Sequence, residues 1–257
     1  MRADVYLFNK GYVKSRQKAK CLIEAKNVKI NGQIISKPSF EIAMDEEICI
    51  EIFDDCPFVS RGALKLKAML DILRIDLTNK LAIDIGASTG GFTHCLITNG
   101  VSRVYAIDTG TNQLDPIFKN DNRVISIEGT NARDLNEHIV PEKVDIITVD
   151  VSFISQTLII PTALNFLNKD GVYIGLIKPQ FEVGKSKIGK GGIVKEAKYR
   201  KEAVEKIVKC MNENDFFCIA LIESPIQGGD GNVEYVAAFS KDESKIISKH
   251  QINNCLK

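Results

Sequence analysis

Four charged residues stand where short apolar runs begin or end. They are Lys65 in Ser60-Arg61-Gly62-Ala63-Leu64-Lys65-Leu66, Asp150 closing the run 145–149, Lys178 closing the run 172–177, and Glu234 in Gly231-Asn232-Val233-Glu234-Tyr235. Taken singly, each reads as an exposed strand-end charge. Parallel strands, however, present their C-terminal ends along one edge, so Asp150 and Lys178 must meet there, and two amines with two carboxylates on one edge can orient a hydroxyl and manage its proton. A lysine acts as a base only once it has shed its charge. A second cation, Lys65, and partial burial favour that form, whereas Asp150 and Glu234 oppose it. Proton removal and stabilisation of a developing alkoxide therefore both stay open for Lys178, with the carboxylates as orienting groups.

Beside these residues lies a ligand-binding turn. The run 81–85 leads into Asp84-Ile-Gly86-Ala-Ser88-Thr-Gly90-Gly91-Phe92, and the next run, 103–107, ends in Asp108. Glycines let the backbone turn sharply and approach a ligand, and an acid after the second strand suits a ribose diol, which together describe a nucleoside-cofactor pocket. Ser88 breaks the G-x-G-x-x-G spacing and disfavours a nicotinamide cofactor. A carboxylate at Asp84 would repel a pyrophosphate but favour the cationic sulfonium and ammonium of S-adenosylmethionine (SAM). The same letters spell the G-x-S-x-G nucleophile elbow of hydrolases. Here that elbow would follow the first strand of its domain and the late His250 falls in a polar tail, so a serine hydrolase is set aside; His94 and His138 read as helix-surface residues.

The elements that must position these groups alternate. Apolar runs at 81–85, 103–107, 124–127, 145–149, 172–177, 216–223 and 233–239 are separated by helical patterns at 61–73, 91–98, 134–138, 156–167 and 198–212. This predicts an α/β fold, a doubly wound Rossmann-like sheet that is mostly parallel, with an antiparallel last strand, whose ligand lies beyond the strand C-termini. Ahead of it, 5–8 and 16–25 read as helices, the second capped by Ser15 with Ala19, Leu22 and Ile23 inward. Residues 28–30, Asn31-Gly32 and 33–35 read as strand, turn and strand, and 47–52 as a third strand. Pro57 closes a linker near 54–59, dividing the chain into a small α+β domain, 1–57, and a larger one, 58–257.

The chain has 257 residues with 34 Lys or Arg against 33 Asp or Glu, 44% hydrophobic, which excludes disorder, collagen and coiled-coil rods. That neutrality hides a segregation. Residues 1–40 hold nine basic residues against Asp4 and Glu24, whereas 41–57 hold seven acids and no base. Lys14, Arg16, Lys18 and Lys20 cluster near one helix start, where backbone N–H groups and cations favour phosphate, and Arg2 is a further candidate RNA contact. The 184–192 loop, with Lys185, Lys187 and Lys190, reads as a flexible basic element beside the cleft, and Arg61 adds to it. Seven widely spaced cysteines without a C-x-x-C pair argue against a zinc site or disulfide scaffold, so no metal is expected. No stretch resembles a signal peptide or reaches the roughly 20 apolar residues of a membrane span, so a cytoplasmic protein is expected.

Two resemblances sharpen this reading. Arg2-x-Asp4-x-x-Leu7, Ser15-Arg16-x-x-Ala19-x-x-Leu22-Ile23 and Val28-x-Ile30-Asn31-Gly32 resemble the alpha-L RNA-binding motif named after a small-subunit ribosomal protein. Lys26 departs from it where glycine is usual, and Asn27 is the neighbour able to turn left-handed. From Ser60 the chain resembles the FtsJ-type ribose 2'-O-methyltransferases, with Lys65, Asp150, Lys178 and Glu234 matching their K-D-K-E set. With the stretches Lys178-Pro-Gln-Phe-Glu182, Gly189-Lys-Gly-Gly192 and 224–234, the whole chain is similar to the TlyA family of ribosomal RNA methyltransferases, also called hemolysins. That resemblance implies SAM held by Asp84, Gly86, Ser88, Gly90, Gly91 and Phe92 around its methionine part, Asp108 at its ribose, Asp134 near its adenine, and Asp150 alongside. It implies ribosomal RNA or a ribosomal subunit as partner and cytidine 2'-hydroxyls as targets, in the large subunit and, for a longer type, the small one. Two rivals remain: an RNA-binding protein with an inactive methyltransferase fold, and a membrane-active toxin, which needs an amphipathic or spanning segment that the sequence does not display.

Overall fold

The computed structural model describes residues 1–13, 16–24, 26–43, 48–53, 57–228 and 231–256, with every side chain among them except those of Gln17 and Cys21. Lys14, the expected cap Ser15, the start of the third strand at Glu47 and linker residues 54–56 lie outside this description. The chain divides into two compact units, Met1–Pro57 and Phe58–Lys257.

In the first unit, helices α1 (Ala3–Asn9) and α2 (Arg16–Glu24) accompany a three-stranded antiparallel sheet of β1 (Val28–Ile30), β2 (Gln33–Ile34) and β3 (Ile50–Ile52), ordered β2-β1-β3. Ala3, Tyr6 and Leu7 from α1 meet Ala19, Leu22 and Ile23 from α2 and Val28 and Ile30 from β1 in one core. Phe8 is 42% exposed, because Ala3 and Tyr6 share the buried stripe with Leu7.

Helix α2 ends in a Schellman turn: Asn27 N–H donates to Leu22 O and Lys26 N–H to Ile23 O, both at 2.9 Å. The left-handed residue is Lys26 itself, at φ +62°, although Asn27 beside it could also have taken that conformation. The 6→1 bond fixes which residue occupies the turn, whatever its intrinsic preference. Lys26→Gly should therefore stabilise this unit by about 1 kcal/mol, read as roughly fivefold slower amide exchange at Leu22 and Ile23. Unchanged or faster exchange would contradict the strain at Lys26.

In the second unit, α3 (Ala63–Leu73) leads into a seven-stranded sheet. Its strands are β4 (Leu81–Ile85), β5 (Arg103–Ile107), β6 (Val124–Ile127), β7 (Val144–Val149), β8 (Leu167–Ile177), β9 (Phe217–Glu223) and β10 (Tyr235–Ser240), ordered β6-β5-β4-β7-β8-β10-β9. β4 through β8 pair in parallel, and β10 inserts antiparallel between β8 and β9, with Tyr235 opposite Ile177 on one side and Glu223 on the other. All six residues of β10 are buried, as a central strand requires. The helices are α4 (Gly91–Thr98), α5 (Ile160–Leu164), α6 (Pro179–Glu182), α7 (Ala197–Asn212) and α8 (Lys249–Cys255).

Three expectations of helix change. The 156–167 pattern breaks into a 3-10 turn, Gln156–Leu158, and the short α5, and Leu167 joins β8 opposite Val144. At 134–138 there is no helix: Asn136 accepts from His138 N–H and donates to Asp134 O, replacing helical bonds by a local side-chain turn. The polar tail becomes α8, started by a capping box between Ser248 and Gln251.

Candidate active site

The glycine turn is shaped by what lies behind it. Gly86 N–H donates to Ile107 O at 2.8 Å, and Asp150 N–H donates to Ile85 O at 2.9 Å, so the turn is drawn between β5 and the end of β7. Gly86 has φ +83°, and a Cβ there would lie 2.3 Å from the Asp150 carbonyl oxygen. Only glycine passes this point. At the foot of α4, Gly90 has φ +87° and a Cβ would strike the Phe118 ring at 2.4 Å. Gly91 opens α4, and the Phe92 side chain points into the core at 4% exposure rather than into the cleft expected for it. His94 is no surface residue: its Nδ1 accepts from Val59 N–H at 3.2 Å and its ring packs edge-on against Phe58 and Phe118. His138 is exposed in the Asn136 turn.

Asp84 is fully buried beneath the turn. Its two oxygens accept from Thr93 on α4 at 2.7 Å and Thr148 on β7 at 2.9 Å, so the carboxylate ties three elements together and does not open onto a ligand. Burial raises its pKa to about 6, the two threonine hydroxyls hold back part of that rise, and neighbouring Asp150 adds to it. The native state therefore keeps this proton up to about pH 6, whereas an unfolded aspartate loses it near pH 4. The shift makes stability fall as pH rises through that window, by about 3 kcal/mol. In Asp84→Asn that slope between pH 4.5 and 6.5 should vanish from urea unfolding curves. An unchanged slope would show that Asp84 does not carry it.

Asp108 behaves differently. Ser88 N–H, from a residue at φ +47°, donates to one of its oxygens at 2.8 Å and Gly110 N–H to the other at 2.7 Å, presenting the carboxylate across the turn while leaving lone pairs for a diol. Asp134 is exposed at the end of a 3-10 turn, Ala132–Asp134, whose cap is Asn131.

The four charges, Lys65 on α3 and Asp150, Lys178 and Glu234 at strand ends, resolve into two ion pairs. Lys65 Nζ lies 2.5 Å from Glu234 Oε2, with side chains 9% and 3% exposed. Lys178 Nζ lies 2.6 Å from Asp150 Oδ1 and donates to Ser152 Oγ at 2.9 Å. The β10 insertion brings Glu234 in: it stands one step beyond the ladder pair Tyr235–Ile177, hence beside Lys178. One residue absent from the sequence reading stands out. Phe153, three residues after Asp150, is 91% exposed at φ +64°, with its ring 5.1 Å from Phe181. Its only sequence signal was an aromatic residue in a strand-end loop.

The basic residues are less free than their charges implied. Asp4 is buried, and Arg2 Nε and Arg16 Nη2 both bond it at 2.9 Å while remaining about half exposed. Burial by itself would push Asp4 up, but the two guanidinium groups prevail and hold it at about 2. The stability this gives is present above pH 4 and lost as pH falls toward 2. Lys18 and Lys20 are half-buried on α2, and Arg61 is half-buried just before α3. The 184–192 loop holds two 3-10 turns, Lys185–Lys187 and Lys190–Gly192. Lys187 is not a free arm, since it pairs with Glu202 of α7 and lies 5.6 Å over the Tyr199 ring. The loop's far end is clamped by Asn232, which accepts from Val194 N–H and donates to Gly192 O. Lys185 and Lys190 are exposed.

Among the described residues no helix is long and apolar enough to cross a membrane. Comparison with known proteins gives a consistent result. Residues 58–241 match the FtsJ-like methyltransferases and residues 1–48 match the S4 domain. Hemolysin A of Brachyspira hyodysenteriae is 40% identical over 93% of this chain and 99% of its own length. The 16S/23S rRNA (cytidine-2'-O)-methyltransferase TlyA of Mycobacterium tuberculosis is 36% identical over 91% of this chain and 87% of its own. A solved structure from Streptococcus thermophilus, described provisionally as a hemolysin, superposes with a TM-score of 0.79 at 35% identity, covering 100% of this chain and 94% of that one.

Proposed function

The chain belongs to the TlyA/hemolysin A family of FtsJ-like methyltransferases with an N-terminal S4 domain, and from that premise we propose that it transfers a methyl group from SAM to the 2'-hydroxyl of a cytidine in ribosomal RNA. The observation that carries this reading is the pair of ion pairs, Lys65–Glu234 and Lys178–Asp150, at the sheet edge beside the glycine turn. In this reading residues 1–57 grip RNA and 58–257 catalyse, in the cytoplasm, on ribosomal RNA or a ribosomal subunit.

The turn fits SAM. Asp108 offers oriented oxygens to a ribose, Gly86 and Gly90 let the turn pack against the Asp150 backbone and the Phe118 ring where a Cβ would clash, and Gly91 begins a helix whose first N–H groups face that turn. Ser88, Asp134 and the backbone at Asp84 complete the contacts we assign. SAM, when bound, supplies an electrophilic methyl on a sulfonium. A ribose hydroxyl is a weak nucleophile, so the protein's share is to align it with that methyl and manage the charge on its oxygen. With its Nζ 2.6 Å from Asp150 Oδ1 and donating to Ser152 Oγ, Lys178 is placed in this reading to orient the hydroxyl and meet the negative charge that develops on its oxygen, the hydroxyl proton leaving to solvent as the methyl bonds. Lys65 and Glu234 hold the far side of the ribose. Phe153, exposed beside this set, is a face on which a nucleobase can stack. Arg2, Lys14, Arg16, Lys18, Lys20, Arg61, Lys185, Lys187 and Lys190 meet phosphates.

Radiolabelled SAM with ribosomal RNA or subunits from cells lacking the enzyme tests the reading, followed by mapping of the labelled ribose. Label on a cytidine 2'-oxygen is the expected result. RNA bound but unlabelled would leave only a binding protein, label on a base would overturn the assigned roles, and lysis of cells by the purified protein without SAM would revive a membrane activity.

A further inference from the structure

Directly behind the Lys178–Asp150 pair lies a second charged cluster that the transfer chemistry does not use. Glu182 closes α6, four residues after Lys178, and its side chain is 2% exposed. Oε1 accepts from Gln156 N–H at 2.8 Å, while Oε2 accepts from Ser155 Oγ at 2.5 Å and from Lys206 Nζ of α7 at 3.1 Å. Lys206 also donates to Ser155 Oγ at 3.0 Å and to the Glu182 carbonyl at 2.9 Å. Only the carboxylate is buried, since the Lys206 side chain is 40% exposed, and placing a buried carboxylate among hydrogen-bond donors contributes little stability relative to apolar packing, so its place in the fold calls for another account.

The account lies in what the cluster joins. Asp150 and Ser152 sit on the loop after β7, Lys178 on the segment after β8, and the loop is pinned to that segment twice: at Ser152 by Lys178, and at Ser155 and Gln156 by Glu182. Between the two pins stands Phe153 in a left-handed conformation, φ +64°, which a bulky residue adopts only when its surroundings impose it. Gln156 is itself fixed, donating to Leu176 O at 2.7 Å and accepting from Tyr173 OH at 3.0 Å.

We propose that Glu182, with Lys206 and Ser155, is a positioning group for methyl transfer: it holds the 150–156 loop in its strained form, and so sets Asp150 against Lys178 and keeps Phe153 turned outward. This rests on the catalytic role assigned to Lys178.

The test uses the full-length protein with its RNA substrate. Glu182→Gln and, as a second variant that keeps the carboxylate, Ser155→Ala are compared with Lys178→Ala and with Glu182→Gln/Lys178→Ala in single-turnover transfer, together with SAM affinity and melting temperature. The expected result for Glu182→Gln is a transfer rate ten- to a hundredfold lower with SAM Kd within twofold, a smaller loss for Ser155→Ala, and a double variant no slower than Lys178→Ala alone. A normal rate in both Glu182→Gln and Ser155→Ala, or losses that multiply in the double variant, would overturn the proposal while leaving Lys178 in place. If Glu182→Gln fails to fold, Ser155→Ala decides by the same criteria. Near-normal transfer by Lys178→Ala would instead remove the catalytic reading, and this inference with it.

Discussion

Lys178→Ala is expected to reduce methyl transfer to RNA by about a thousandfold, the upper end of what removing one group that stabilises developing negative charge costs, while SAM Kd stays within about twofold. The separation follows from geometry. Lys178 pairs with Asp150 and donates to Ser152 beyond β7 and β8, whereas the turn assigned to SAM is built from Gly86, Ser88, Gly90 and Asp108 beyond β4 and β5. Asp150 is 24% exposed as a side chain, but the Oδ1 that faces Lys178 is itself buried, so Lys178→Ala also removes the cation beside a buried carboxylate oxygen, and its melting temperature is read alongside SAM Kd. Lys178→Arg discriminates between the two roles open to the amine. A guanidinium stays charged beside Asp150 and can still meet an oxyanion, so the assigned role predicts activity well above that of Lys178→Ala; a base role predicts the two to be equally inactive. Near-normal transfer by Lys178→Ala with intact SAM binding would sink the assignment.

The parts of this site legible in sequence were those set by local pattern. Apolar runs of five or six residues closed by Asp84-Ile-Gly86, Asp108, Asp150 and Lys178 mark strand ends whatever packs around them, and the parallel order brings those ends to one edge. Which amine meets which acid was not legible, because it depends on β10 entering between β8 and β9 and setting Tyr235 opposite Ile177, a pairing across nearly sixty residues of chain. The Glu182 cluster was hidden for the same reason: α6 is four residues long and its acid gains meaning only from a loop and a helix elsewhere in the chain. Charge counting misled in a different way. Asp4, one of two acids among nine bases, is buried under Arg2 and Arg16, so those guanidinium groups serve the fold as well as any phosphate they meet. Lys26 shows tertiary structure overriding preference, a left-handed lysine beside an asparagine better suited to the turn.

The Lys65–Glu234 pair separates architecture from chemistry most sharply. Lys65→Met leaves Glu234, 3% exposed, without its cation, and the second unit should lose about 3–5 kcal/mol, seen as a large fall in urea midpoint for the sheet. Replacing both members, Lys65→Met with Glu234→Leu, removes the stranded charge and should restore most of that loss, since apolar groups of similar volume substitute for a buried pair at little expense. Transfer should remain impaired in the double variant, because no group is then left at that position to hold a ribose hydroxyl. If transfer returned with stability, the pair would be a staple between α3 and the head of β10, and the reactive set would contract to Lys178 and Asp150. If stability failed to return while Lys65→Met alone was mild, the carboxylate would have found another partner, and the burial argument for this pair would fall with it.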